Sequence, residues 1–148
     1  MVKLKKLLKK KSYSANKLTL TKTNHLEIEV ELNGVKGIFI LDTGASNTCV
    51  GLDKGEKFHL DFTESDVKAA GAGATEMDTF VSTKNTLAIG GWRTKKQKIV
   101  LFDLSHVNTA LEIHSASPVD GIIGADVLQK AKGVIDYNSH KLYVRKKK

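Results

Sequence analysis

Apolar and polar residues alternate strictly from His25 to Leu32. Leu26, Ile28, Val30 and Leu32 are apolar, and His25, Glu27, Glu29 and Glu31 fall between them. A period of two places the two sets on opposite faces, so the stretch predicts a half-buried strand with a wet, acidic face. Asn33-Gly34 follows, and both residues tolerate the positive φ that a two-residue hairpin turn requires. The return strand, Val35 to Leu41, becomes continuously apolar at Ile38-Phe39-Ile40-Leu41 and is expected to enter the interior.

Later segments repeat the theme. Val67 to Thr83 predicts two short strands around the small-residue run Ala69-Ala70-Gly71-Ala72-Gly73-Ala74. Thr86 to Ile89, Gly90-Gly91 and Lys98 to Leu104 predict another hairpin, with Trp92 packing beside its turn. The stretch 105–118 reads as a loop. Ala125 to Ala131 predicts a helix ended by Gly133 as its C-cap. Val134 to Tyr137, an Asn138-Ser139 turn and Lys141 to Val144 close the chain as a last strand pair. Many short strands with one short C-terminal helix predict an all-β, closed, barrel-like architecture.

Composition narrows the class. The chain has 148 residues, 41% apolar and 27% charged, enough for one domain with a real core. No run of about 18 apolar residues would span a membrane, and lysines interrupt Leu4, Leu7 and Leu8 where a signal peptide would be apolar. The lone Cys49 excludes an intrachain disulfide and a multi-cysteine metal cage. It is expected to be a small buried apolar residue in a reducing, cytoplasmic setting. His25, His59, His106, His114 and His140 show no metal spacing, so neither metal nor cofactor is expected.

The net charge of +8 belongs to the ends. Residues 1–12 carry six lysines and residues 145–148 carry four bases, with no acid in either tail; the body between is slightly acidic. That distribution excludes a basic groove for specific nucleic-acid readout. It allows weak electrostatic contact of the tails with an anionic membrane or polyanions. Leu4, Leu7 and Leu8 have helical spacing among the lysines. Their small apolar area favours a solvated arm over a membrane-bound helix. The expected division is a flexible basic arm over 1–16, one domain over 17–144, and a basic tail over 145–148.

Candidate chemistry lies in Phe39-Ile40-Leu41-Asp42-Thr43-Gly44-Ala45-Ser46, where an apolar strand delivers an aspartate into a tight turn. Taken alone, Asp-Thr-Gly reads equally as a turn in which Asp42 caps backbone N–H groups. A second segment, Asp120-Gly121-Ile122-Ile123-Gly124-Ala125-Asp126-Val127-Leu128, changes the balance. Three elements in order, Ile40-Leu41-Asp42-Thr43-Gly44-Ala45, the Gly71 to Gly73 region and Ile122-Ile123-Gly124, resemble the retropepsin-like aspartic proteases over roughly residues 24 to 144.

The resemblance implies an acid-protease barrel with a flap hairpin over 71–73, acting on peptide or protein substrates. It implies catalysis by Asp42 with Thr43 and Gly44. Substrate binding falls to Ala45, Ser46, Gly71, Ala72 and Gly73, and support of the active loop to Ile122, Ile123 and Gly124. Two carboxylates sharing a proton can act as base toward water and acid toward the peptide. The sequence holds one Asp-Thr-Gly, and Asp120-Gly121-Ile122 lacks both the hydroxyl and the apolar lead-in. A homodimer is therefore expected, with one Asp42 from each copy. Thr43 would bond across the axis, while Lys-rich ends packed together would repel. The competing classes are an inactive dimerisation or peptide-binding module of the same fold, and a basic-tailed nucleic-acid or membrane adaptor.

Ala45 stands where pepsin-like relatives carry a serine that donates to the catalytic carboxylate. Losing a donor to the ionised form shifts the expected activity optimum toward neutral pH. A pH–rate profile should peak above the unperturbed aspartate range of about pH 4; a maximum confined below it would refute the expectation.

Overall fold

The computed structural model describes residues 3–71 and 74–146. Its elements run α1 (Leu4–Lys10), β1 (Tyr13–Lys17), β2 (Thr19–Leu20), β3 (Leu26–Leu32), β4 (Val35–Leu41), β5 (Cys49–Gly51), β6 (Thr63–Gly71), β7 (Ala74–Ile89), β8 (Trp92–Phe102), α2 (Ser105–Ile113), β9 (Gly121–Ile123), α3 (Ala125–Lys130), β10 (Val134–Asp136) and β11 (Lys141–Arg145). The order β3-β4-β9-β5-β8-β7 closes on itself because β3 also pairs with β7, through Glu31 with Ala88 and Leu32 with Leu87. A six-stranded barrel results, with β2 and β6 outside the ring.

The alternation in β3 does what its period demands: Leu26, Ile28, Val30 and Leu32 are buried. Asn33 and Gly34 take φ of 52° and 83°, the turn their types favour. The Asn33 side chain also staples the barrel seam. Its Nδ2 donates to the Phe58 carbonyl at 2.8 Å, and its Oδ1 accepts from the Thr86 N–H at 2.9 Å. Phe39 and Phe58, with ring centroids 5.9 Å apart, centre the core with Leu87, Leu101, Ile123 and Leu142. A second apolar cluster, Ile40, Cys49, Leu104, Leu111, Val119 and Ile122, lies apart from this core. Ile122 and Ile123 therefore serve different clusters, as neighbouring strand residues must.

Several expectations are corrected. The stretch read as a loop contains α2 over 105–113. Asp103 Oδ1 accepts the Ser105 N–H at 2.8 Å, which also holds its carboxyl below the usual range, and Val107, Ala110 and Leu111 share one face. The described residues thus hold three α-helices rather than one, besides a short 3-10 turn over Leu52–Lys54. α3 stops at Lys130, and Lys132, not Gly133, takes the left-handed conformation at φ 53°. The Gly133 N–H then closes on the Leu128 carbonyl at 2.9 Å. The flap strands are longer than expected, and Gly71 pairs with Ala74 across the tip. Ala72 and Gly73 lie outside the described residues.

The chain ends differ most from a solvated arm. Residues 4–10 are helical with Leu8 buried, and β1 pairs antiparallel with β11 from Tyr13–Arg145 to Lys17–Lys141. Polar residues in Tyr13-Ser14-Ala15-Asn16-Lys17 concealed this strand, whose backbone groups are satisfied by β11 rather than by water. The expected boundaries after 16 and before 145 therefore fall inside strands. Among the described residues no helix is long and apolar enough to cross a membrane.

The wet face of β3 is not uniformly wet. Glu27 stands opposite Thr19 and Ile40, and its Oε2 is buried without a hydrogen-bond partner. Burial raises its carboxyl above the ordinary range, and the nearby His25 opposes that shift. A group raised in the folded state favours folding below its unfolded value, and that benefit is lost as pH rises through the folded value. Glu27→Gln should therefore raise the urea midpoint at pH 7, with the gain vanishing below about pH 4.

Candidate active site

β4 and β5 are consecutive in sequence but not adjacent in the barrel. β9 lies between them, parallel to β4 through Phe39–Gly121, Ile40–Ile122 and Leu41–Ile123, and antiparallel to β5 through Cys49–Ile122. The connection from 42 to 48 must therefore arch over the end of β9. Gly124 sits beneath that arch: a Cβ there would lie 2.7 Å from the Ala45 carbonyl oxygen and 2.9 Å from the Asn47 backbone. No side chain fits, which explains the glycine after Ile122-Ile123. The arch is tied down by the Asp42 N–H to the Ile123 carbonyl (2.9 Å) and the Ala125 N–H to the Ala45 carbonyl (2.7 Å).

Asp42 emerges at the exposed end of β4. Its Oδ1 accepts the Gly44 N–H at 2.9 Å, the capping bond of the turn reading. Among the described residues its Oδ2 has no partner, and the exposed hydroxyls of Thr43 and Ser46 have none either. Ala45 is half-buried against Gly124. Ile122, Ile123 and Gly124 are brought directly behind the Asp42 turn, as their pairing with β4 requires. Gly71 belongs to the flap hairpin formed by β6 and β7.

Behind the arch runs a polar network that sequence inspection missed. Buried Thr48 accepts the Gly124 N–H through Oγ1 at 3.0 Å and donates to Asp126 Oδ1 at 2.8 Å. Asp126 Oδ2 accepts from Gln97 Nε2 at 3.0 Å, and Lys130 Nζ donates to Gln97 Oε1 at 3.0 Å. Loop, β8 and α3 are thus joined through one carboxylate. Thr48 and Asp126 stand 78 positions apart, so only a match of the two motifs as one unit could have signalled the contact. Next to Thr48, burial pushes the Cys49 thiol up to about 12, with the charges of Asp126 and Asp42 adding to the effect.

The other aspartate weighed for catalysis is occupied. Asp120 is buried, holds Lys57 Nζ at 3.0 Å through both oxygens, and accepts the Ile38 N–H through Oδ2 at 3.0 Å. It anchors the start of β9 rather than facing Asp42. A cleft of about 790 Å³ opens beside Asp42, with Ile40, Leu111 and Ile122 on its apolar wall and His106 of α2 and His114, just past its end, among its lining. Such a site suits a flexible apolar or mixed chain laid past a carboxylate. Among the described residues no three His, Cys, Asp or Glu side chains cluster to hold a metal.

Thr48→Val keeps the shape but removes the hydroxyl that satisfies both Gly124 and Asp126. It should cost about 1–3 kcal/mol in chemical denaturation, with a much smaller cost for Thr48→Ser. Equal losses in the two variants would point to packing alone.

Comparison with known proteins agrees with this geometry. A family model described as aspartyl protease matches residues 28–127. A retropepsin-like aspartic protease from Rickettsia conorii superposes with a TM-score of 0.60 at 18% identity, covering 89% of this chain and 90% of its own. The EIAV protease, solved with the inhibitor HBY-793, gives 0.56 at 20% identity over 74% of this chain and 90% of its own. The retroviral protease-like domain of Ddi1 from Leishmania major gives 0.56 at 16% identity over 85% and 90%. Among curated proteins, none matches in sequence. At these identities the solved structures speak to fold alone, while the family match spans the barrel from β3 to α3: the chain belongs to the aspartyl protease family, with a retropepsin-like fold.

Proposed function

We propose that the chain is an active aspartic endopeptidase that works as a symmetric pair, with Asp42 of each copy forming the catalytic dyad. The observation that carries this reading is the state of Asp42. Its carboxylate stands exposed at a cleft with one oxygen unpaired, whereas the alternative aspartate, Asp120, is committed to Lys57 and Ile38. One such carboxylate is half a site. Two of them, brought to a two-fold axis, would share a proton because like charges so close resist joint ionisation. The ionised member then takes a proton from water as it attacks the scissile carbonyl. The protonated member donates to the carbonyl oxygen and later to the leaving amine.

Remaining roles follow from position. Gly44 holds the Asp42 turn, and Thr43, whose hydroxyl is unpaired among the described residues, would bond across the axis. Ala45 and Ser46 border the substrate backbone, and the flap, with Gly71, Ala72 and Gly73, covers it. Ile122, Ile123 and Gly124 hold the loop from behind. The substrate would be an extended peptide segment seated as a strand, its apolar side chains taken by walls such as Ile40 and Ile122. Each copy pairs its own β1 with its own β11. The partner is therefore expected at the 42–46 loops rather than through interleaved chain ends. Buried Cys49 suits a reducing, cytoplasmic setting.

Asp42→Asn should lower cleavage of a peptide library roughly 10³-fold while leaving circular dichroism unchanged. In the dilute range, doubling the wild-type concentration should raise the rate about fourfold, as expected for an active pair in equilibrium with single copies. Cleavage undiminished in Asp42→Asn would end this reading in favour of a non-catalytic binding module. A rate strictly proportional to concentration down to nanomolar protein would remove the weak-dimer element.

A further inference from the structure

The terminal strand pair joins two basic segments from opposite ends of the sequence. Lys146 donates its N–H to the Ser12 carbonyl at 2.8 Å, and Tyr13 pairs with Arg145. The six lysines of residues 3–11 and Arg145-Lys146 therefore gather at one pole, all of them exposed. Lys132, whose carbonyl accepts the Tyr13 hydroxyl at 2.8 Å, lies beside them. No acid occurs before Glu27, and Asp136 is the only one after residue 126. The ion pair Lys57–Asp120 involves none of these cations, and among the described residues none of them has an acidic partner.

Charge alone would suit any polyanion. Helix α1 adds apolar surface: Leu4, Leu7 and Leu8 form one stripe, Leu8 is 8% exposed and seats the helix, and Leu4 and Leu7 remain 40% and 45% exposed. Two exposed leucines amid exposed lysines match an acyl–headgroup boundary, where apolar insertion and attraction to anionic lipid act together. A nucleic acid would use the cations but leave the two exposed leucines without a role. The stacking residues of a single-strand site are missing, since residues 1–12 contain no aromatic.

We propose that this pole is a docking surface for an anionic lipid bilayer, with α1 lying in the interface and the chain-end lysines and arginine on the headgroups. Two chain ends held by one sheet act as a single multivalent patch rather than two separate tails. Docking is independent of the proteolytic reading, and Asp42→Asn should bind like the parent protein.

The test is vesicle co-sedimentation of the full chain, using phosphatidylcholine alone and phosphatidylcholine mixed with phosphatidylserine. Binding is expected only to the mixed vesicles and should weaken with added salt. Lys5→Gln, Lys6→Gln, Lys9→Gln and Lys10→Gln should each reduce partitioning roughly fivefold. The pair Leu4→Ser and Leu7→Ser should reduce it about tenfold or more. Circular dichroism and thermal midpoint check that each variant folds. Absent binding, or equal binding to both vesicle types, would overturn the proposal. So would a leucine pair variant that partitions like the parent while single-stranded polynucleotide displaces both, which would make the pole a general polyanion site.

Discussion

The insertion of β9 between β4 and β5 is the constraint on which the site depends. Because two consecutive strands are held apart by a third, the chain between them has to cross its end, and the crossing is where Asp42 stands. Clearance under the crossing is set by one missing side chain, that of Gly124. Close backbone contact there brings the Ala45 carbonyl within reach of the Ala125 N–H and orients the turn that presents the carboxylate. Moving any of these strands would move Asp42.

Such an arch would be loose if backbone contacts alone held it. The carboxylate of Asp126 receives hydrogen bonds from Thr48 and Gln97, and Lys130 completes the chain through Gln97. A buried network is stabilising when its members are satisfied and costly when one partner is missing. This arrangement commits one loop residue, one strand residue and two helix residues to a common geometry. Asp120 acts similarly at the other end of β9, where Lys57 and the Ile38 N–H offset the cost of burying its charge. Three aspartates thus have distinct surroundings: two are engaged in the scaffold, and Asp42 is left open to the cleft.

The second apolar cluster has a functional consequence. Ile40 and Ile122 point away from the barrel core and pack with Leu104 and Leu111, so α2 roofs the wall beside Asp42. This helix and its C-cap supply His106 and His114 to the cleft, and it is clasped by Asn108, which bonds both backbone groups of Val119 at 2.8 and 3.2 Å. The shape of the cleft on this side of the carboxylate is set by α2 as much as by the barrel.

Much of this protein was written locally. The alternation in β3, the Asn33-Gly34 turn and the apolar run into Asp42 each follow from the preferences of neighbouring residues, whereas the glycine after Ile122-Ile123 answers to its contact with Ala45 and Asn47. The sequence by itself determined the barrel class, and it singled out the candidate carboxylate only through the Asp-Thr-Gly and Ile-Ile-Gly motifs taken together. It left α2 hidden, because its polar and small residues carry a weak helical signal until Leu111 and Val107 have a second cluster to cover. It left β1 hidden, because a polar strand shows no alternation and is held by backbone bonds to β11. The pairing of Thr48 with Asp126, the commitment of Asp120 to Lys57 and the gathering of both chain ends at one pole were decided only by tertiary structure. Each joins residues far apart in sequence, and the distance between them is set by strand order, which no local preference encodes.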